Sequence, residues 1–149
     1  MSVGDGERER QKALYMKKVL VADDSSMARA FIKRTLEMVC SEDVEVIEAR
    51  DGEDAFAQMK AQQPDLLITD LNMPVMDGAS LLKRVKSSPR LHDTPCIVIT
   101  SLLNPAKEKE LQSYDVSAIL GKPLNTAALS KALVDVFPNQ VGSDDGYGW

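Results

Sequence analysis

Histidine occurs once, at His92, and cysteine twice, at Cys40 and Cys96. A His-based zinc site or a Ser-His-Asp triad would have to draw on His92 alone. That residue lies among charged and turn residues in "SPRLHDTP" and reads as an exposed loop residue. Two thiols are too few for a disulfide scaffold, and Cys96, inside the apolar run "CIVIT", reads as a small core hydrophobe. No stretch reaches the roughly 18 apolar residues of a membrane span, so no membrane partner is expected. The opening "MSVGDGERERQ" lacks the apolar core of a signal peptide, and a reducing, cytoplasmic location is expected. Basic residues form no long patch, and the net charge of -5 gives no electrostatic footprint for nucleic acid.

What is present is an ordinary globular composition, 44% hydrophobic and 28% charged, in a chain long enough for one domain with a full core. Residues 1–16 are polar, without usable periodicity, and are expected to form a flexible extension. The stretch from Pro138, "PNQVGSDDGYGW", is expected to be a flexible tail in which Trp149 is an exposed terminal aromatic. The folded domain is placed at residues 17–137.

Within it, short apolar runs alternate with helical patterns. "KVLVA" (Lys18 to Ala22) stops at Asp23-Asp24, and Ser25 or Ser26 can cap a helix whose inward face is Ala28, Phe31, Ile32, Leu36 and Val39. "VEVIEA" alternates as a half-buried strand does and precedes a helix from Gly52 with Ala55, Phe56 and Met59 inward. "DLLIT" is a third strand, and "GASLLKRVK" the helix after it. "CIVIT" is a fourth strand, and Asn104-Pro105 opens a short, highly charged helix, "AKEKELQ", with little to bury. "SAIL" is a fifth strand, followed by "GKPL" and a helix capped by Asn125. Five βα units with doubly apolar strands imply an α/β fold. The expected architecture is a doubly wound five-stranded parallel sheet, order 2-1-3-4-5, with helices on both faces, flavodoxin-like.

Ligands of such sheets bind beyond the carboxyl ends of the strands. Asp23 and Asp24 follow the first strand, Asp70 and Asn72 the third, Thr100 ends the fourth and Lys122 follows the fifth. Taken singly, each carboxylate also reads as a helix or turn cap and Lys122 as a surface lysine. Together they bring three carboxylates, a hydroxyl and an ammonium to one edge. Two carboxylates about 4 Å apart repel by roughly 4 kcal/mol at an effective dielectric near 20, so three would protonate or take a cation. Oxygen-only ligands favour a hard cation such as Mg²⁺. A cation beside Lys and Thr is a cradle for phosphoryl oxygens, and a carboxylate there can itself accept a phosphoryl group.

The set Asp23-Asp24, Asp70 in "DLNMPVMDG", Thr100-Ser101 and Lys122-Pro123 resembles the receiver domain of two-component response regulators. Single-domain chemotaxis regulators are the nearest in form. The resemblance covers about residues 17 to 137. It implies that Asp70 accepts a phosphoryl group from a histidine kinase or phosphotransfer protein. It further implies that Asp23, Asp24, Asp70 and the main-chain carbonyl of Asn72 hold Mg²⁺. By the same resemblance Lys122 binds phosphoryl oxygen, Thr100 turns its hydroxyl to the phosphoryl group beside Ser101, and Pro123 follows a cis peptide. Pro74 and Gly78 would shape the loop from Asp70 into the third helix. The implied output is a charge-driven switch of the face around the fourth helix and fifth strand, which then binds a downstream protein target. The chain would be a signalling module, not an enzyme beyond its own phosphorylation and dephosphorylation, and a monomer or a phosphorylation-dependent dimer.

Three positions depart from common family usage. Ile119 stands where many members carry Tyr or Phe, Asp115 where a helix-ending glycine is usual, and Ser101 where alanine is. Leu102 is apolar and cannot position a hydrolytic water. Two other readings compete: a pseudo-receiver adaptor that is never phosphorylated, and a phosphatase with an aspartyl nucleophile. The intact acidic and basic set argues against the first. The position of Asp70 on the third strand argues against the second. The short remainder after residue 137 leads to an expected output through protein contact or phosphoryl relay.

Overall fold

The computed structural model describes residues 16–40 and 43–138. Of the two segments expected to be flexible, residues 1–15 and residues 139–149 with Trp149 lie outside the described residues. Met16 itself is buried in the core.

Among the described residues five strands and five helices alternate: β1 (Lys18–Ala22), α1 (Ser26–Val39), β2 (Glu45–Ala49), α2 (Gly52–Gln62), β3 (Leu66–Thr69), α3 (Gly78–Lys86), β4 (Cys96–Thr100), α4 (Pro105–Gln112), β5 (Ala118–Gly121) and α5 (Thr126–Val136). The strands form one parallel sheet in the order β2-β1-β3-β4-β5, as the alternating pattern predicts. The central strands β1, β3 and β4 are apolar on both sides because helices cover both faces. Val19, Val21, Ile68 and Ile97 point to α1 and α5, where Ile32, Leu36, Leu129 and Leu133 meet them. Leu20, Leu67, Cys96 and Val98 point to the opposite layer, where Met59, Leu81, Leu82, Val85 and Leu111 close the core.

Local signals set the helix starts. Ser25, Asp51, Asp77, Asn104 and Asn125 each accept a hydrogen bond from a first-turn amide, the usual remedy for the unpaired N–H groups of a helix start. Asp115 has φ 57: it takes the left-handed position where the family resemblance puts glycine. The α4 helix buries only Leu111. One expectation fails: Phe31 is exposed, with Met27 and Met38 on the same helix. On this helix Ile32 and Leu36 are the buried apolar residues, and Thr35 is buried with its hydroxyl donated to the Phe31 carbonyl at 2.9 Å. His92 is exposed, as expected, and pairs with Asp93 at 3.1 Å.

Cys96 packs in the core as a small hydrophobe. Burial pushes its thiol from 9.0 up to about 11, against a smaller opposing pull from Lys86, and burial does the same to the half-buried Cys40. A raised native pKa means that the folded state keeps protons which the unfolded chain releases. Stability is therefore expected to be untouched by these thiols below about pH 9 and to fall between about pH 9 and 11. Urea melts at about pH 8 and pH 10 check this. A double Cys→Ala variant should flatten the fall, and an equal fall in that variant would refute the assignment to the thiols.

Candidate functional site: an acidic pocket at the carboxyl edge of the sheet

Strand register brings the site together. Ala22 of β1 pairs with Thr69 of β3, so the next residues, Asp23 and Asp70, leave the sheet side by side. The amide of Asp70 donates to the Ala22 carbonyl at 2.9 Å, and that of Asp23 to the Ala49 carbonyl at 3.1 Å. On the far side, Thr100 of β4 pairs with Gly121 of β5, and the Lys122 amide donates to the Thr100 carbonyl at 3.0 Å. Three separate chain segments thus meet within side-chain reach.

The side chains then converge. Lys122 Nζ lies 2.8 Å from Asp23 Oδ2 and 3.1 Å from Asp70 Oδ2. Asp23 Oδ1 accepts from the Ser25 amide at 2.9 Å, and Asp70 Oδ1 from the Leu71 amide at 2.6 Å. Asp23 and Asp70 are buried, whereas Asp24 is exposed. Carboxylate oxygens of Asp23, Asp24 and Asp70 all lie within 4.8 Å of one another. Burial alone would lower the pKa of the Lys122 ammonium. The hydrogen bonds it donates to Asp23 and Asp70, with the charges of both, outweigh it and hold the group above the usual lysine value. Three carboxylates against one ammonium leave the pocket negative, and its all-oxygen donor set fits a hard divalent cation.

The other expected residues flank this centre. Thr100 is buried, and its Oγ1 accepts from the Leu102 amide at 3.1 Å, which leaves the hydroxyl proton to donate elsewhere. Asn72 and Ser101 are exposed on the loops that follow β3 and β4. The Lys122–Pro123 peptide is cis. Ile119 is half-buried and packs on the core layer of α2, α3 and α4. Sequence reasoning missed Arg29, whose Nη1 donates to the main-chain carbonyl of Asp23 at 2.7 Å. An arginine in the first turns of a helix is too common to mark itself.

The loop from Asp70 to α3 is pinned at several points. Gly78 N donates to the Leu71 carbonyl at 2.8 Å, and Gly52 N to the Met76 carbonyl at 2.9 Å. Between them Met76 N donates to the Pro74 carbonyl at 2.7 Å, closing a γ-turn on Val75 at φ 69. A β-branched residue in that region is strained. Such strain costs about 1–3 kcal/mol, and glycine would give back roughly 0.5–1 kcal/mol in chain entropy. Val75→Gly is therefore expected to stabilise the protein by about 1 kcal/mol, read as a higher urea midpoint. Since the Val75 side chain is 75% exposed, no lost packing should mask the gain, and an unchanged midpoint would show the turn to be unstrained.

A doubly wound sheet with a cation-competent acidic cluster and a lysine at its carboxyl edge sets a charged, oxygen-lined pocket where such sheets bind their ligands. The chain belongs to the response regulator receiver domain family, whose model matches residues 19–134. It is 35% identical over 132 residues to a chemotaxis protein CheY homolog of Campylobacter jejuni, a match covering 88% of this chain and 97% of that protein. It is 36% identical over 117 residues to a gliding motility regulatory protein of Myxococcus xanthus, covering 78% of this chain but only 15% of that protein. Among solved structures it is similar to the chemotaxis response regulator CheY4 of Vibrio cholerae, with TM-score 0.73 and 34% identity over 83% of this chain and 100% of that one. The chain is thus a chemotaxis-regulator-like receiver domain, a signalling module. Among the described residues no helix is long and apolar enough to cross a membrane.

Proposed function

We propose that the protein is a phosphoacceptor in a two-component or phosphorelay pathway, with Asp70 as the acceptor. The observation that carries this reading is the convergence of Asp23, Asp24 and Asp70 with Lys122, which bonds both buried carboxylates across the sheet edge. The receiver unit is taken as residues 17–137, in a cytoplasmic protein. A carboxylate oxygen of Asp70 attacks phosphorus on the phosphohistidine of a kinase or phosphotransfer protein. The phosphorus–nitrogen bond breaks, its electron pair stays on the imidazole, and an acyl phosphate forms. Mg²⁺, held by Asp23, Asp24, Asp70 and the Asn72 carbonyl, would neutralise the carboxylates and bind a phosphoryl oxygen. Lys122 exchanges its bond to Asp70 for one to a phosphoryl oxygen. Thr100 donates its hydroxyl proton to another, with Ser101 small enough to leave room.

The new charge biases the face around α4 and β5 toward a downstream protein target. That face is cheap to move, because α4 is anchored by Leu111 alone. With Ile119 in place of an aromatic, a smaller side chain has to follow Thr100. Incubated with Mg²⁺ and acetyl phosphate, the protein is expected to gain one phosphoryl group by intact mass, and Asp70→Ala none. No addition by a folded wild type would return the adaptor reading, and turnover of phosphomonoesters the phosphatase.

A further inference from the structure

Asp23 has its whole set of polar atoms engaged. Its carboxylate bonds Ser25 N and Lys122 Nζ, its amide bonds the Ala49 carbonyl, and its own carbonyl accepts Arg29 Nη1 at 2.7 Å. The guanidinium is held in turn: Arg29 Nε donates to Glu48 Oε1 at 2.7 Å. Arg29 is nearly buried, its side chain 11% exposed, whereas Glu48 is 42% exposed. Glu48 and Ala49 are the last two residues of β2. The end of β2 therefore grips Asp23 twice, directly at its amide and through Arg29 at its carbonyl.

We infer that Arg29, oriented by Glu48, is a positioning residue for the cation pocket: it fixes the Asp23–Asp24 segment so that both carboxylates face Asp70. This rests on the Mg²⁺ reading above. The inference makes a prediction opposite in sign to plain electrostatics. An arginine beside a cation site repels the cation, so deleting its charge should tighten Mg²⁺ binding if charge were all that mattered. If Arg29 positions the ligands, its loss frees the Asp23 carbonyl and lets the segment shift, and binding weakens. Partners that orient metal ligands from outside typically cost about 10- to 100-fold in affinity when removed.

The test is Mg²⁺ titration by calorimetry on the full chain. Wild type is expected to bind, and Arg29→Gln to bind about 10-fold more weakly. Equal or tighter binding by Arg29→Gln would overturn the inference. Glu48→Ala gives a second variant at a more exposed position should Arg29→Gln fail to fold. It is expected to weaken binding, and the loss should persist in about 0.5 M salt, where a simple charge effect is screened. Disappearance of that loss in high salt would count against positioning. Failure of wild type to bind Mg²⁺ at all would instead remove the proposed function on which this rests.

Discussion

Lys122→Ala is expected to destabilise the protein by about 3 kcal/mol in Mg²⁺-free buffer, and added Mg²⁺ should restore much of the loss. The Asp23 and Asp70 side chains are only 2% and 9% exposed, and Lys122 is the cation bonded to both. Their oxygens lie within 4.8 Å, where two carboxylates repel by roughly 3 kcal/mol or more at an effective dielectric near 20. Breaking a buried ion pair on one side leaves the other charge without compensation, which is why such losses run to about 3–5 kcal/mol. Lys122 itself is 26% exposed, so water entering its place will screen part of the cost and the lower figure is used. A divalent cation in the pocket supplies the missing positive charge. Adding Asp70→Asn to the Lys122→Ala variant removes one of the two stranded carboxylates and should recover stability, a coupling read by a double-mutant cycle. Phosphorylation by acetyl phosphate should fall by about 10²-fold or more, the usual effect of losing one donor to a developing oxyanion. Urea melts of Lys122→Ala that match wild type with and without Mg²⁺ would show that the lysine does not hold the pocket together.

The sheet and the centre of this pocket were legible in the sequence because both follow from order along the chain. Strand runs such as "CIVIT" and cap residues such as Asn104 and Asn125 are local signals, and each appears where it was expected. Once five parallel strands are in order, the residues after β1, β3 and β5 must share an edge, so Asp23, Asp70 and Lys122 needed no further information. What stayed hidden depends on three-dimensional detail. Helical spacing places Phe31 on the same face as Ile32, yet Ile32 and Leu36 pack with Leu129 and Leu133 of α5 against the sheet and Phe31 is left outside. Arg29 gains its role only because its guanidinium reaches back over the helix start to a carbonyl and across to β2. The strain on Val75 arises from loop closure between Pro74 and Met76, and a valine gives no sign of it.

Gly78 shows the same limit most sharply, and it sets the second large expected effect. "MDG" before a helix marks Gly78 as a loop-shaping residue without giving the reason, and no described glycine has positive φ. The reason for glycine here is close approach. A Cβ at Gly78 would sit 2.1 Å from the main-chain oxygen of Asp70 and 2.8 Å from Leu71 Cα. Both are backbone atoms, so no rotamer change relieves the clash. Alanine would otherwise be favoured at a helix start, by about 0.5–1 kcal/mol. The sign of the measured change therefore decides which effect wins. Gly78→Ala is expected to lose about 3 kcal/mol, the upper end of overpacking costs, and to slow phosphorylation, because the atom displaced belongs to Asp70 itself. Gly52→Ala is the control: its Cβ would fall 2.2 Å from the Met76 carbonyl oxygen, an equally rigid clash six positions further along the same loop. It should cost similar stability with a smaller loss of phosphorylation. A Gly78→Ala protein as stable as wild type would show that the loop has room, and equal phosphorylation losses in the two variants would show that the loop moves as one body.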